Sequence, residues 1–236
     1  MHRDDLRFEV REFFVSPIVS ALSKSRFSRR VLTDFGDLVG YINWCEKLFP
    51  AASFLGTRKK LFRHIFKMYD SDISLVIELG VARGALTKWA LKEFATQRMM
   101  WFGFDTFTGL PTDWIRNGEV YLEGGTFSTK GIAPIIQDER LKFIIGDVTT
   151  TCSQIPEILA SKNIGRTVVI FDLDLFRPSQ VVWKEIVKFL KMGDLLYFDQ
   201  AFDVEGDRYL IENFVMKEKN LKMLGRSVIG CIFEIQ

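Results

Sequence analysis

The chain has 236 residues, of which 47% are hydrophobic and 26% are charged, with 32 lysines and arginines against 30 acidic residues. These fractions are typical of a globular protein and exclude a disordered tail protein, a collagen and a disulfide scaffold. The formal net charge of +2 is too small to indicate a nucleic acid or an anionic membrane as partner. No apolar run approaches the roughly 18 residues that span a bilayer, so we expect a soluble protein.

The chain contains three cysteines and two histidines. Cys45, Cys152 and Cys231 are far apart and form no CxxC pair, which is typical of reduced thiols in a cytoplasmic protein. His2 and His64 are too few for a zinc site or a Ser–His–Asp triad. His64 falls in an amphipathic segment, so we expect a surface or core histidine rather than a base.

Residues 1–70 have apolar side chains at helical spacing and no strand signal, as in Phe8, Val10, Phe13 and Phe14. We expect a helical N-terminal cap or extension over this range. This segment can pack over the rest of its own chain or against a second subunit. The sequence therefore leaves open whether the protein forms a homo-oligomer.

After Asp70, short β-rich apolar runs alternate with longer amphipathic segments. The predicted strands are Leu75–Leu79, Met99–Phe104, Leu141–Ile145, Val168–Asp172, Leu195–Phe198, Lys222–Leu224 and Val228–Glu234. The predicted helices are Ala85–Phe94, Cys152–Lys162, Ser179–Lys191 and Arg208–Glu218. Continuous apolar strands are typical of parallel sheets buried on both faces, and the helices between them imply right-handed crossovers. The sequence therefore predicts an α/β fold over residues 71–236, with a doubly wound, Rossmann-like sheet of seven strands and an antiparallel edge.

One predicted connection, Asp105–Arg140, is far longer than the usual connection of about 2–6 residues. Because it follows a strand's carboxyl end, we interpret it as a lid or binding loop, with an ordered surface excursion as the alternative. Its aromatic residues can bind a sugar face or a flat acceptor, or simply anchor the loop in the core. These aromatic residues include Phe107, Trp114, Tyr121 and Phe127.

Five consecutive predicted strands each deliver a carboxylate at the carboxyl end. These carboxylates are Glu78, Asp105, Asp147, Asp172 and Asp199. Ligands of open α/β sheets bind outside this edge of the sheet. The sequence therefore predicts a shared acidic crevice.

The first strand is followed by a turn of the pattern E-x-G-x-x-x-G, from Glu78 to Gly84. A dinucleotide fold would have G-x-G-x-x-G, and Glu78 would repel a phosphate. S-adenosylmethionine carries a sulfonium and an ammonium and no phosphate, so an acidic turn suits it. Gly80 and Gly84 let the backbone come close to such a ligand, or merely serve strand–turn–helix packing. Arg83 is a candidate partner for the ligand's carboxylate, or a solvated surface arginine.

Two further carboxylates are candidate cofactor contacts. Asp105, at the end of the second strand, can take both ribose hydroxyls, with a turn cap as the alternative. Asp147, at the end of the third strand, can accept a hydrogen bond from the exocyclic amine of adenine.

Several motifs resemble the macrolide sugar O-methyltransferases of the TylF/MycF type. They are Glu78–Gly84, Phe104–Pro111 (FDTFTGLP), Gly125–Ser128, Phe143–Asp147, Asp172–Phe176 (DLDLF) and Asp199. The likeness runs from about Leu75 to Phe214 and implies a class I methyltransferase fold, S-adenosylmethionine as donor and a hydroxyl acceptor. It adds Thr106, Phe107 and Asp172 to the candidate cofactor-binding residues.

In characterised members of this family, a magnesium ion is held by the first aspartate of the strand-four motif and by two adjacent acids after strand five. The matching positions here are Asp172, Asp199 and Gln200. Gln200 departs from the pattern, and with one negative charge fewer Mg²⁺ should bind more weakly. The family's histidine near the acceptor has no counterpart, since no histidine follows His64.

Asp172 and Asp199 are also the catalytic candidates. They can bind a cation that lowers the pKa of the acceptor hydroxyl, one of them can act as a base without metal, or both can be helix caps only. We expect O-methylation of a sugar or other small natural-product acceptor. The alternatives are a metal-independent or N-directed methyltransferase and a catalytically silent nucleoside-binding module. Glu78 and the missing second glycine disfavour an NAD-dependent enzyme.

Overall fold

The computed structural model describes residues 26–161 and 165–236. The chain divides into two compact units, Met1–Gly40 and Tyr41–Gln236. Of the first unit the structure describes residues 26–40, which belong to helix α1 (Arg26–Leu48). The helical spacing predicted before residue 26 lies outside the described residues. The division into a cap over residues 1–70 and a domain over residues 71–236 stays a prediction.

The second unit contains one large sheet and a separate two-stranded hairpin. The strands are β1 (Ser53–Phe54), β2 (Ile73–Leu79), β3 (Met100–Asp105), β4 (Trp114–Arg116), β5 (Glu119–Leu122), β6 (Leu141–Ile145), β7 (Arg166–Phe171), β8 (Leu195–Phe198), β9 (Leu221–Arg226) and β10 (Cys231–Ile235). The large sheet has the order β1-β9-β10-β8-β7-β2-β3-β6, and β4 pairs with β5. Strand β10 is antiparallel to both its neighbours, and the other pairs of the large sheet are parallel.

The predicted Rossmann-like sheet is confirmed, but it has eight strands rather than seven. The additional strand, β1, pairs in parallel with β9 through Ser53 and Phe54 only. Two residues are too few to show the alternation by which a strand is predicted from sequence. The antiparallel strand, β10, also lies inside the sheet between β8 and β9 rather than at the edge.

Helices connect the strands. After α1 they are α2 (Arg58–Tyr69), α3 (Ala85–Glu93), α4 (Val148–Thr151), α5 (Ile155–Ala160), α6 (Phe176–Ile186), α7 (Asp207–Leu210) and α8 (Met216–Glu218), with a π-helical turn at Ile211–Val215. The helix predicted over Cys152–Lys162 is shorter than expected, because a 3₁₀ turn occupies Cys152–Gln154. Its predicted last residue, Lys162, lies outside the described residues. None of the described helices is long and apolar enough to cross a membrane.

Helix α2 packs one apolar face into the core beneath the sheet. Its side chains at i, i+1, i+4 and i+5 are fully buried: Leu61, Phe62, Ile65 and Phe66. The Phe62 ring lies 4.8 Å from the ring of Tyr197 in β8. The hydroxyl of Thr57 caps the helix by accepting a hydrogen bond from the Lys60 amide at 3.3 Å. The first residue of the helix, Arg58, is thereby fixed close to the end of β8.

The long connection between β3 and β6 contains the hairpin β4–β5, which the sequence analysis did not predict. The Trp114 ring is buried and meets the Tyr121 ring edge-on at 4.9 Å. Trp114 Nε1 donates to Asp203 Oδ2 at 3.2 Å, and Arg116 forms a buried ion pair with Asp203 at 3.8 Å. The hairpin is therefore anchored to the segment that follows β8.

Candidate active site

A cavity of about 640 Å³ opens at the carboxyl ends of β2, β3, β6, β7 and β8. Among the described residues, its wall includes six carboxylates and two arginines. The carboxylates are Glu78, Asp105, Asp147, Asp172, Asp174 and Asp199, and the arginines are Arg58 and Arg83. The five strand-end carboxylates that were predicted to share a crevice therefore line one cavity.

The turn after β2 brings the backbone unusually close to a neighbouring strand end. Gly80 has φ +87°, and a Cβ added to it would lie 1.9 Å from the carbonyl oxygen of Asp172. Only glycine fits this position. Gly84, also at positive φ, is the N-cap of α3, and its added Cβ would lie 2.8 Å from Pro134 Cγ. Gly84 thus packs against the long connection, whereas Arg83 is exposed at the cavity wall.

Asp105 holds this turn in place. Its Oδ2 accepts hydrogen bonds from the backbone amides of Val81 at 2.8 Å and Ala82 at 2.7 Å. Its Oδ1 accepts one from the amide of Phe107 at 2.7 Å. Because each carboxylate oxygen can accept more than one hydrogen bond, the carboxylate can cap the turn and still receive a ligand hydroxyl. Thr106, beside it, also lines the cavity.

Glu78 is buried at the base of the cavity. Its Oε2 accepts hydrogen bonds from the Thr87 hydroxyl at 2.6 Å and from Trp101 Nε1 at 2.7 Å. Burial raises the pKa of Glu78 to about 7, although both hydrogen bonds act in the opposite direction. The charge of this side chain therefore changes close to neutral pH.

The remaining cofactor candidates have different placements. Asp147 is exposed at the cavity wall and caps α4, because its Oδ1 accepts from the Thr149 amide at 2.8 Å. Phe107 is fully buried, and its ring packs edge-on against Phe143 at 5.5 Å, outside the cavity wall. Phe127, by contrast, lines the cavity and is 44% exposed.

A single guanidinium nitrogen bridges the two catalytic candidates. Arg58 Nη1 lies 2.9 Å from Asp172 Oδ2 and 2.9 Å from Asp199 Oδ1. The Tyr197 hydroxyl donates to the same Asp199 oxygen at 2.5 Å. Gln200 Nε2 donates to the other oxygen, Asp199 Oδ2, at 3.2 Å. The two carboxylates are therefore held together by a cation of the chain itself.

Burial and mutual repulsion determine the electrostatics of this group. Burial and the nearby charge of Asp199 raise the pKa of Asp172 well above its usual range, and Arg58 opposes that rise. Burial alone would lower the pKa of Arg58, but the charges of Asp199 and Asp172 outweigh it and raise the pKa. The guanidinium is thus permanently charged.

The residues predicted to hold magnesium are adjacent, but their arrangement does not fit that ion. Mg²⁺ requires oxygen ligands at about 2.0–2.1 Å in near-octahedral geometry. Here the Arg58 guanidinium takes up the position between Asp172 and Asp199. Gln200 turns its amide nitrogen toward Asp199, and its buried Oε1 has no hydrogen-bond partner. In the described part of the chain, no group of three acidic, histidine or cysteine side chains is placed to hold a metal.

Sequence reasoning missed Arg58 and Asp174. A signal for Arg58 was present: Arg58, Lys59 and Lys60 occupy the first turn of α2, where no acidic residue lies. Cations are disfavoured at this positive end of the helix dipole.

Asp174 is the second acid of DLDLF; burial raises its pKa to about 7. His64 is exposed on α2, as expected for a surface histidine.

A scan of protein-family models and a search of curated protein sequences find no match to the chain. Among solved structures, the chain is similar to the calicheamicin methyltransferase CalS11, with a TM-score of 0.57, 18% identity and coverage of 93% of this chain and 90% of that one. It also matches the O-methyltransferase NovP, with a TM-score of 0.47, 16% identity and coverage of 72% and 74%. A third match is the mycinamycin-pathway methyltransferase MycE in complex with Mg, SAH and mycinamycin VI, with a TM-score of 0.46, 14% identity and coverage of 74% and 48%. The likeness to CalS11 shows that the chain has the Rossmann-like fold of that methyltransferase.

Proposed function

We propose that this chain is an S-adenosylmethionine-dependent methyltransferase that methylates a hydroxyl group on a small, neutral acceptor, a sugar or another natural product. The acidic cavity at the carboxyl ends of the strands carries the proposal. Its carboxylates attract the sulfonium and the ammonium of the donor and repel the pyrophosphate of a dinucleotide. The fold shared with CalS11 supports the same class of activity.

The donor fits one side of the cavity. Gly80 lets the turn after β2 approach the backbone of Asp172, which holds this turn in the cavity wall. Asp105 accepts a ribose hydroxyl, Asp147 accepts from the adenine amine, and Arg83 binds the carboxylate of the donor. In its ionised form, Glu78 supplies negative charge beneath the turn. When bound, S-adenosylmethionine supplies a methyl group on a sulfonium, and the carbon–sulfur bond electrons remain on sulfur in S-adenosylhomocysteine.

The acceptor fits the other side, beside Asp172 and Asp199. A lone pair of the acceptor oxygen forms the new carbon–oxygen bond, and the hydroxyl proton goes to Asp172, whose Oδ1 accepts no hydrogen bond from the described residues. Alignment of the acceptor oxygen with the methyl carbon provides much of the acceleration. The exposed ring of Phe127 packs on the acceptor. The excess of carboxylates over arginines disfavours an anionic acceptor.

The proposal is tested by incubating the protein with methyl-labelled S-adenosylmethionine and a panel of acceptors. The panel contains neutral glycosides and phenols, their phosphorylated forms and primary amines. We expect label on the oxygen of a neutral acceptor and an equal amount of S-adenosylhomocysteine. Label on amine nitrogen would contradict the O-directed proposal, and a protein that neither binds the donor nor transfers label to any of these would contradict methyl transfer itself.

A further inference from the structure

Arg58 has donors that the fold does not use. A guanidinium carries five N–H groups, and the two on Nη1 are directed at Asp172 and Asp199. The three on Nη2 and Nε have no partner among the described residues. The side chain is 32% exposed and lines the cavity. Arg58 therefore presents a fixed positive charge and free donors to whatever the cavity holds.

The position of Arg58 is unfavourable for the helix that carries it. It is the first residue of α2, and the N-terminus of a helix has partial positive charge. Lys59 and Lys60 follow in the same turn and add to the repulsion. The ion pairs with Asp172 and Asp199 offset this cost. An arginine at this position is therefore explained by its contacts at the cavity and not by the stability of the helix.

We propose that Arg58 takes the place of a divalent cation at the acceptor site: it binds the acceptor oxygens directly, and the protein works without magnesium. This inference rests on the proposed methyl transfer. Gln200 agrees with it, since an uncharged amide in place of a third carboxylate leaves two negative charges for the one positive charge of the guanidinium. A third carboxylate would strengthen a Mg²⁺ site, but beside Arg58 it would add a second uncompensated negative charge.

The chemistry of the guanidinium also defines the acceptor class. Its planar fork of donors holds two oxygens at once. When Asp172 and Asp199 are both ionised, the two carboxylates and Arg58 together carry one excess negative charge. This charge would repel a phosphorylated or carboxylated acceptor. The acceptor is therefore a neutral molecule with two neighbouring oxygens, as in a vicinal diol. Arg58 holds both oxygens, and one of the two hydroxyls is methylated.

The first experiment measures cation binding directly. Wild-type protein saturated with S-adenosylhomocysteine is titrated with Mn²⁺, with binding followed by the paramagnetic resonance of free Mn²⁺, and with Mg²⁺ by calorimetry. We expect no saturable site. The double variant Arg58→Ala, Gln200→Asp frees the position and adds a carboxylate, so we expect it to bind Mn²⁺ at a saturable site that wild type lacks.

The second experiment measures turnover on a neutral vicinal diol in EDTA and in added Mg²⁺. Wild type should be equally active in both. Arg58→Ala should lose about 10- to 100-fold in kcat/KM for the acceptor in EDTA, with the dissociation constant of S-adenosylhomocysteine almost unchanged. Mg²⁺ should restore part of that loss, which a merely structural role of Arg58 would not allow. Arg63→Ala is the matched control, because Arg63 lies on the same helix and pairs with Glu93 outside the cavity.

The outcomes separate the two proposals. If S-adenosylhomocysteine does not bind wild type, the methyltransferase proposal fails and this inference fails with it. If S-adenosylhomocysteine binds but wild type also binds Mn²⁺ saturably, or loses its activity in EDTA, the methyltransferase proposal stands and Arg58 is not the cation of the site.

Discussion

At the scale of single residues, Asp105 combines two tasks that are usually separate. It accepts three backbone N–H groups of the surrounding turns, and it faces the cavity. From the sequence, this carboxylate can bind the ribose of a cofactor or cap a turn. The three hydrogen bonds show that it caps the turn, so its removal leaves the amide donors of Val81, Ala82 and Phe107 without their partner.

We expect Asp105→Ala to weaken S-adenosylmethionine binding by about 1.5–3 kcal/mol, the range for hydrogen bonds to a charged group. We also expect a lower midpoint of thermal unfolding. Calorimetric titration and thermal unfolding measure the two effects. Asp113→Ala is the control, since the Asp113 carboxylate accepts one backbone amide, from Gly124, and lies outside the cavity wall. Unchanged donor affinity in Asp105→Ala would remove this residue from the site.

Glu78 predicts a pH dependence of stability. Its pKa is raised to about 7 by burial, from 4.5, so the folded state holds the proton more tightly than the unfolded state. The stability from this proton is fully present below about pH 4.5 and is lost as the pH rises through about 7. Glu78→Gln imitates the protonated form and keeps an oxygen for the Thr87 and Trp101 donors.

Thermal unfolding of Glu78→Gln and wild type from about pH 5 to pH 8 tests this. The variant should be the more stable of the two at the upper end, and the difference should shrink as the pH falls. Glu93→Gln is the control, because Glu93 pairs with Arg63, which lowers its pKa. A constant difference between Glu78→Gln and wild type across the range would contradict the raised pKa.

At the scale of elements, the turn after β2 depends on the close approach of two backbones. A Cβ at Gly80 would lie 1.9 Å from a backbone oxygen, whereas one at Gly118, also at positive φ, would meet nothing within 4 Å. Gly118→Ala should therefore lower the free energy of unfolding by only about 1–2 kcal/mol, the cost of the left-handed conformation. Gly80→Ala should lose more than about 4 kcal/mol or fail to fold. Equal losses in denaturant unfolding would show that the turn relaxes freely.

The anchor of the β4–β5 hairpin gives a second prediction at this scale. Arg116 and Asp203 are both almost fully buried. Asp203→Ala removes one partner of the buried Arg116 and the acceptor of Trp114 Nε1, and should lower the free energy of unfolding by about 1–3 kcal/mol. Limited proteolysis should then cut within residues 106–140. Glu205→Ala, which removes an exposed contact to the Asn117 amide, should leave the hairpin resistant; cleavage of both variants alike would contradict the role of the buried pair.

The elements that sequence could predict are those with long patterns. The strands β2, β3, β6 and β8 begin and end within two residues of their predicted bounds, because each contains several large apolar side chains in succession. The hairpin was missed because its strands have three and four residues. Its turn, Asn117-Gly118, is nevertheless a typical hairpin signal, and both residues have positive φ.

At the scale of the whole molecule, the sequence predicted which strand ends meet but not what lies between them. The edge of a parallel sheet gathers its strand-end carboxylates by topology alone, so the acidic crevice followed from the order of strands and helices. Arg58 comes from a helix far earlier in the chain, 114 residues before Asp172 and 141 before Asp199. No local pattern encodes such a contact. The resemblance to metal-dependent enzymes therefore suggested magnesium at Asp172 and Asp199 without indicating that a guanidinium lies between them.

Calorimetric titration of the purified protein with S-adenosylmethionine, S-adenosylhomocysteine and NAD shows whether the acidic cavity binds a sulfonium cofactor. We expect saturable binding of the first two, weakened in Asp105→Ala, and no binding of NAD, because its pyrophosphate would face the carboxylates of the cavity wall. Saturable binding of NAD, or no binding of either sulfur compound, would contradict this expectation.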